Sequence, residues 1–377
     1  MIQTAFKFIR FDKPKSIGII VGIVISIFLI GQQLGTLRYL TTLMSGIIVS
    51  SNAEEQDIWI IDQQSQNINA LTPIDARIVQ EVRSIAGVAQ SYSIVVANAS
   101  VSFPNGNTVG VNLIGSDGPT FIAGPNLDKI MTGNITALNQ SNAFSGEYFN
   151  GKNFGVALTQ NQLFEINGKE AVLKVITKNA QGFGGYLMYS SLQNVRFYGN
   201  FRNDQVSIIA VKLLPGADKQ AIINQINHAF YGVRAWDVNV LANSSIAEIL
   251  ISSNMGVSFG SLVIFAVIAG FFIIGLTLYS AALDRLVDYG TLKAIGATNR
   301  YVSMLIFTQA FLFAIIGYAI ALLLILGFKF GVAKSGLTIQ VDAALCLVLF
   351  AITLFMSMGG SLFAVMKIRK IEPASIF

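Results

Sequence analysis

The sequence predicts an α-helical membrane protein with four transmembrane helices and a large extracytoplasmic α+β domain inserted between the first and the second. Three observations predict it. Four long stretches contain no Asp, Glu, Lys or Arg. Lys and Arg crowd the short segments on one side of those stretches, and about 210 residues of mixed polar composition separate the first stretch from the others. Over the whole chain only 12% of residues are charged and 53% are hydrophobic, against about 25% charged in soluble proteins. That balance argues against an ordinary cytosolic enzyme, and it is the reverse of the low hydrophobicity and high charge that keep a chain disordered.

The charge-free stretches are residues 16–37, 249–283, 302–328 and 343–366, with lengths of 22, 35, 27 and 24 residues. A bilayer core about 30 Å thick takes around 20 helical residues, so each is long enough to span. The second is too long for one span. Its membrane part is expected near 256–283, preceded by a helix standing outside the bilayer. The first, with Lys7, Arg10, Lys13 and Lys15 before it, has the flank of a signal peptide. It outruns the usual apolar region of about 7–15 residues and continues into Gln32-Gln33-Leu34-Gly35, so a retained anchor is expected. The resulting division is an N-terminal segment 1–15, first span and stalk helix 16–50, outer domain 51–243, stalk helix and second span 244–283, a connecting loop 284–301, third span 302–328, a short outer loop 329–342, fourth span 343–366 and a tail 367–377.

The N-terminal segment, the 284–301 loop and the tail together carry a net +6, the 329–342 loop +1, and the large insert −2. Basic residues mark the cytoplasmic side of short loops, so both termini are expected inside and the insert outside. The basic balance is therefore a topology signal and gives no reason to expect nucleic acid as a partner.

Within the insert, Asp57-Ile58-Trp59-Ile60-Ile61-Asp62 reads as a strand. Residues 73–86 read as a helix capped by Thr72 with Pro73 in its first turn. Residues 93–102 and 108–114 read as a hairpin around Pro104-Asn105-Gly106-Asn107. Residues 206–213 read as a strand and 218–231 as a helix after the Pro215-Gly216 turn.

Little in the chain suggests catalysis. One cysteine, Cys346, and one histidine, His228, leave no disulfide, no Cys-type zinc site and no His-pair metal motif. No P-loop appears, so no nucleotide site of that type is expected, and no nucleophile elbow is present. Glu54-Glu55 reads as a solvated start to the outer domain, and Gly182-Phe183-Gly184-Gly185 as a turn.

The informative segment is the loop after the second span. Leu283, Leu286, Val287 and Gly290 recur at three- and four-residue steps, Gly296 can end a helix in a left-handed conformation, and Thr298 can cap the next one. The second span is thus expected to leave the bilayer, bend and form a short amphipathic helix. The run Asp284-Arg285-x-x-Asp288-x-Gly290-x-Leu292-Lys293-Ala294-Ile295-Gly296-Ala297 resembles the coupling loop of FtsX/MacB-type ABC transporter permeases. Lys367-Ile368-Arg369-Lys370-Ile371-Glu372-Pro373-Ala374 resembles the basic ending of that family, and Asp57-Ile58-Trp59-Ile60 is similar to the start of the outer domain in DevC-like members. The chain departs from the pattern with Asp288 in place of Glu and Tyr289 in place of Ile.

The resemblance implies a bacterial inner-membrane permease that holds no cofactor itself, with ATP and Mg2+ bound by a separate ABC ATPase dimer. It implies that Asp284, Arg285, Asp288, Gly290, Leu292, Lys293 and Gly296 meet that ATPase. It also implies a second permease copy in the bilayer and, for DevC-like members, a periplasmic adaptor and an outer-membrane duct. Gly18-x-x-x-Gly22, Gly31-x-x-x-Gly35 and Gly256-x-x-x-Gly260 have the spacing for close helix approach between copies. Gln32, Gln33, Tyr39, Met44, Met255 and Phe259 have the chemistry to line an access route for an amphipathic substrate as well as to pack. The implied activity is mechanotransmission: ATP-driven closure moves the outer domains through stalk helices and exports a hydrophobic or amphipathic molecule. Lipoprotein release, as in LolC-type relatives, and FtsX-like activation of a cell-wall hydrolase are the alternatives.

Overall fold

The computed structural model describes residues 13–369. Lys7, Arg10 and Asp12, and the tail from Lys370 through Glu372-Pro373-Ala374, fall outside the described residues. The chain divides into two compact units, Met1–Tyr39 with Gly256–Phe377, and Leu40–Met255.

In chain order, helix α1 (Lys13–Met44) and the short α2 (Gly46–Val49) lead into β1 (Ile58–Asp62) and β2 (Ile74–Asp75). Helix α3 (Ile78–Arg83) precedes the long hairpin β3 (Val88–Ser102) and β4 (Thr108–Ser116). Strands β5 (Ile130–Thr132) and β6 (Ala143–Glu147), helix α4 (Gly151–Phe154), and strands β7 (Leu163–Ile166), β8 (Lys169–Thr177) and β9 (Tyr186–Ser191) follow. Next come α5 (Leu192–Tyr198), β10 (Gln205–Val206), β11 (Ile208–Leu213), α6 (Lys219–Ala229), β12 (Val233–Asp237) and α7 (Val238–Ser252). The chain then runs through α8 (Met255–Asp284), α9 (Leu286–Ala294), α10 (Asn299–Ala333) and α11 (Ala343–Arg369). Helices α1, α8, α10 and α11 are long and apolar enough to cross a membrane, so four spans with an α+β unit between the first and second is the architecture.

The helical unit packs around Ile19, Ile23, Ile27 and Ile30, which recur every three or four residues on α1. They meet Ile274 and Leu278 of α8, Ile306 and Phe313 of α10, and Leu349 and Met356 of α11 in one buried cluster. On the opposite side of α1, Ile17, Val21, Ile25 and Leu29 are exposed. A helix apolar all round is the signature of lipid on the side where protein is missing. At 32 residues α1 is about 48 Å long at 1.5 Å per residue, well beyond the bilayer core.

Glycines set the closest helix approaches. A Cβ added at Gly360 would lie 2.9 Å from the backbone nitrogen of Gly275, so α8 and α11 touch main chain to main chain there. The glycines that the sequence offered for contact between copies mostly serve within this chain. A Cβ at Gly22 would meet Ile273, at Gly31 Ile325 and Leu349, and at Gly35 Ile339. A Cβ at Gly260 would meet nothing within 4 Å.

The second unit is built on a ten-stranded sheet whose path runs β12-β1-β11-β3-β7-β8-β5, with β4 joining β3 to β9 and β6 beside β8. All pairs are antiparallel except β4 with β9 and β6 with β8. Strand β1 explains its own sequence. Ile58 and Ile60 belong to one buried cluster with Val79, Val82 and Ile222, and Trp59 and Ile61 to another with Ile94, Ile114 and Trp236. A strand buried on both faces reads as a continuous apolar run. Trp59 stands directly opposite Trp236.

The expected hairpin is present and longer than its sequence signal, with Ser102 opposite Thr108 and Ile94 opposite Ser116. One expectation changes. Residues 73–86 are not one helix: Ile74 and Asp75 pair with β10, and the Asp75 carboxylate accepts from the backbone N–H of Arg77 at 2.8 Å. That local turn competes with the helix start, which moves to Ile78. In the stretch 244–283 a stalk helix and a span are expected. Helix α7 ends at Ser252, and Asn254, at φ 54°, turns the chain before α8 begins at Met255.

The foot of the second unit is held by buried polar groups. Helix α2 lies so close to the Gly-rich segment that a Cβ at Gly46 would sit 2.3 Å from the Gln181 carbonyl oxygen and 2.7 Å from Gly182 Cα. Ser50 Oγ donates to that same Gln181 carbonyl at 3.3 Å, and Lys129 Nζ donates to the Val49 carbonyl and to Ser50 Oγ, each at 3.1 Å. Behind them Glu147 is fully buried. Its carboxylate accepts from Asn179 N–H at 2.8 Å, Ala180 N–H at 2.9 Å and Thr177 Oγ1 at 2.8 Å. Burial pushes the Glu147 carboxyl up and the Lys129 ammonium down from their ordinary pKa values. Gly46→Ala, which must push main chain away from main chain, is expected to destabilise this unit by about 1–3 kcal/mol. Unfolding followed by tryptophan fluorescence checks this, since both tryptophans, Trp59 and Trp236, lie in this unit.

Candidate functional site

The site is built at the end of α8. That helix stops at Asp284, where Arg285 leaves the helical region with φ −108° and ψ 21°. Helix α9 follows for nine residues, and Gly296, at φ 103°, lets the chain reverse. Thr298 then caps α10 by accepting from the Tyr301 N–H at 3.2 Å. The bend, short helix and glycine stop are all as the sequence predicts.

The face that docks differs. The periodicity groups Leu283, Leu286, Val287 and Gly290 on one apolar face; of these Gly290 is buried and Val287 exposed, and the other buried residue of α9 is Tyr289, 2% exposed. The Tyr289 side chain faces Gln309 of α10, whose Nε2 is buried. Lys15, Ser16 and Arg285 join Tyr289 and Gln309 around a cavity of about 30 Å3. Tyr289, the departure from the resembling pattern, is thus the anchor of the helix. A tyrosine gives little helical periodicity signal, so its burial is not legible in the sequence.

The opposite face of α9 is left open. Val287 is 56% exposed and Ile295, just past its end, 77%. With exposed Thr291 and Ala294 they fall at steps of four, three and one, a single stripe. Asp288 borders that stripe and forms no ion pair among the described residues.

The remaining expected coupling residues divide. Asp284 is ion-paired with Lys15 at the start of α1. Lys293 turns back into its own chain, donating to the Ile368 carbonyl at 2.9 Å and the Arg369 carbonyl at 3.4 Å. A cation there satisfies the open carbonyls at the end of α11 and its dipole, so Lys293 braces α9 instead of standing free. Leu292 packs against the helical core, while Gly296 is exposed in the turn.

The residues expected along an access route divide between the two units, with Met44 and Met255 in Leu40–Met255 and Gln32, Gln33, Tyr39 and Phe259 in the other. Met44 is fully buried, and its carbonyl accepts from Asn69 Nδ2 at 2.6 Å. Tyr39 donates its hydroxyl to the Gly336 carbonyl at 3.1 Å, and neighbouring Arg38 is ion-paired with Asp342. The 329–342 loop therefore folds onto the end of α1, seating buried Ile339 against Gly35. Gln32, Gln33, Met255 and Phe259 are half-buried. His228 is exposed on α6, and Glu54 pairs with Lys212 on the sheet.

Residues 260–373 match the family model described as FtsX-like permease C-terminal. That match contains α9 and most of the helical unit. No curated protein matches the chain. Among solved structures, the chain is similar to the periplasmic region of MacB from Actinobacillus actinomycetemcomitans, at 9% identity over 51% of this chain and 94% of that one, with a TM-score of 0.39. It is also similar to the extracellular domain of the ABC-type transporter YknZ from Gram-positive bacteria, at 12% identity over 48% of this chain and 99% of that one, with a TM-score of 0.34.

Proposed function

We propose, from the match of residues 260–373 to the FtsX-like permease C-terminal family, that this chain is the membrane subunit of an ABC-type exporter driven by a separate ATPase. The observation that carries the reading is the two-sidedness of α9. One face is fixed to the helical unit by Tyr289, Gly290 and Lys293, and the other presents Val287, Thr291, Ala294 and Ile295 beside Asp288. A nine-residue helix is too short to persist alone in water. Held on one side and open on the other, it suits transmission of force from a docked partner. Nucleotide-driven closure of an ATPase dimer would displace α9, and the packing of Tyr289 in one buried cluster with Val302, Leu305 and Ile306 would pass that displacement into α10. The cargo is a hydrophobic or amphipathic molecule, and the chemistry of ATP hydrolysis belongs to the partner. A second copy of the permease completes the assembly, with both termini on the ATPase side.

The test uses the single native cysteine. In a Cys346→Ser background, a cysteine replacing Asp288 is expected to crosslink in native membranes to a separately encoded ABC ATPase. A cysteine replacing Tyr231, in the second unit and 97% exposed, is expected to give no such adduct. A reactive cysteine at 288 that captures no ATPase would overturn the reading.

A further inference from the structure

A groove between α8 and α11 belongs to neither the docking face of α9 nor its anchor. Its volume is about 650 Å3, and it is lined by Leu276 and Tyr279 of α8 and by Phe363, Met366, Lys367 and Arg369 of α11. The sequence sets its depth. Lys367 is the first charge after 24 uncharged residues, and Tyr279 lies five residues before Asp284, about 7.5 Å along the helix. Tyrosines and the first basic residues mark the boundary between hydrocarbon and headgroups. The groove therefore has an apolar wall at acyl-chain depth and a basic rim at headgroup depth.

The rim has unused positive charge. Lys367 forms no ion pair among the described residues, and Arg369 spends only its Nε–H, on Ser303 Oγ at 3.0 Å. Among the described residues no carboxylate lines the groove, and the nearest acid on α8, Asp284, is taken by Lys15. We infer that this groove is a binding site for one anionic phospholipid, its phosphate held by Lys367 and Arg369 and its acyl chains lying on Leu276, Phe363 and Met366. A zwitterionic lipid would bring a cation to the same rim. A second copy meeting this face across a two-fold axis would set Lys367 and Arg369 against themselves.

The test is native mass spectrometry of the purified full chain, titrated with phosphatidylglycerol or phosphatidylcholine of matched acyl length. One phosphatidylglycerol is expected to be retained at least about tenfold better than phosphatidylcholine. Each basic residue near an anionic surface contributes about a fivefold effect. Lys367→Ala with Arg369→Ala should therefore weaken phosphatidylglycerol roughly thirtyfold and leave phosphatidylcholine unchanged, and Lys367→Arg should retain the preference. Millimolar inorganic phosphate should not displace the lipid, because the apolar wall contributes to binding. Equal retention of the two lipids, or a preference that survives the double substitution, would overturn the site. Displacement by phosphate would assign the rim to a free anion. A Phe363→Cys, Cys346→Ser chain that crosslinks to its own copy in membranes would give the groove to a protein interface.

Discussion

Replacing Glu147 by alanine is expected to lower the stability of the sheet unit by about 3–5 kcal/mol, because it strands two buried backbone N–H groups, those of Asn179 and Ala180, at about 1–3 kcal/mol each, and loses the bond from Thr177. For a unit of this size that is a fall in Tm on the order of 10 °C. Tryptophan fluorescence reads it directly, since Trp59 and Trp236 face each other on β1 and β12. Glu147→Gln keeps one acceptor oxygen and removes the buried charge, so its deficit should be smaller, about 1–2 kcal/mol, and should depend on pH. Burial raises the Glu147 carboxyl in the folded chain, with Tyr189 and Lys129 also facing it. Between its ordinary value and that raised one, the folded chain holds more protons than the unfolded chain, so wild-type stability falls as pH rises through the window. The glutamine variant lacks that slope, so the gap between the two should narrow with rising pH. A gap that widens with pH would mean that the carboxylate form is the better fit to its donors.

This network also shows where sequence reading stops. Crossing a membrane depends on length and composition, which the chain states openly in its charge gaps, and the sharp bend after Asp284 is written in a motif and a glycine. Glu147 closes a short apolar run, and nothing near it in sequence announces three donors from residues 177–180. Gly46 and the Gly182–Gly185 turn each read as ordinary small-residue segments, yet the first exists to let the second approach. The first-span glycines were visible, but their partners were not: Gly22, Gly31 and Gly35 receive side chains of this chain's own helices and outer loop. Thr72-Pro73 is a sound helix start in isolation, and it loses to the turn of Asp75 onto Arg77. In each case the local signal is real and a contact distant in sequence decides its use.

The docking of α9 is the strongest such case, and its removal has the second large effect. Tyr289 is 2% exposed and packs in one buried cluster with Val302, Leu305 and Ile306 of α10. Tyr289→Ala deletes an aromatic ring from a packed site, a change that costs about 3–5 kcal/mol in protein interiors. Nine residues have no helical stability of their own to set against that loss. Amide hydrogen exchange across 286–294 should therefore accelerate by roughly a hundred- to several thousandfold, since each 1.4 kcal/mol is a factor of ten. Tyr289→Phe keeps the ring and removes only the hydroxyl, so its acceleration should be about tenfold, in keeping with about 1–2 kcal/mol for a buried hydrogen-bonding group. Tryptophan-monitored unfolding should stay unchanged in both variants, because Tyr289 and the tryptophans belong to different compact units. If exchange in Tyr289→Ala matched wild type, the brace from Lys293 to the end of α11 would be sufficient to hold the helix, and force entering α9 would pass to α11 instead of α10.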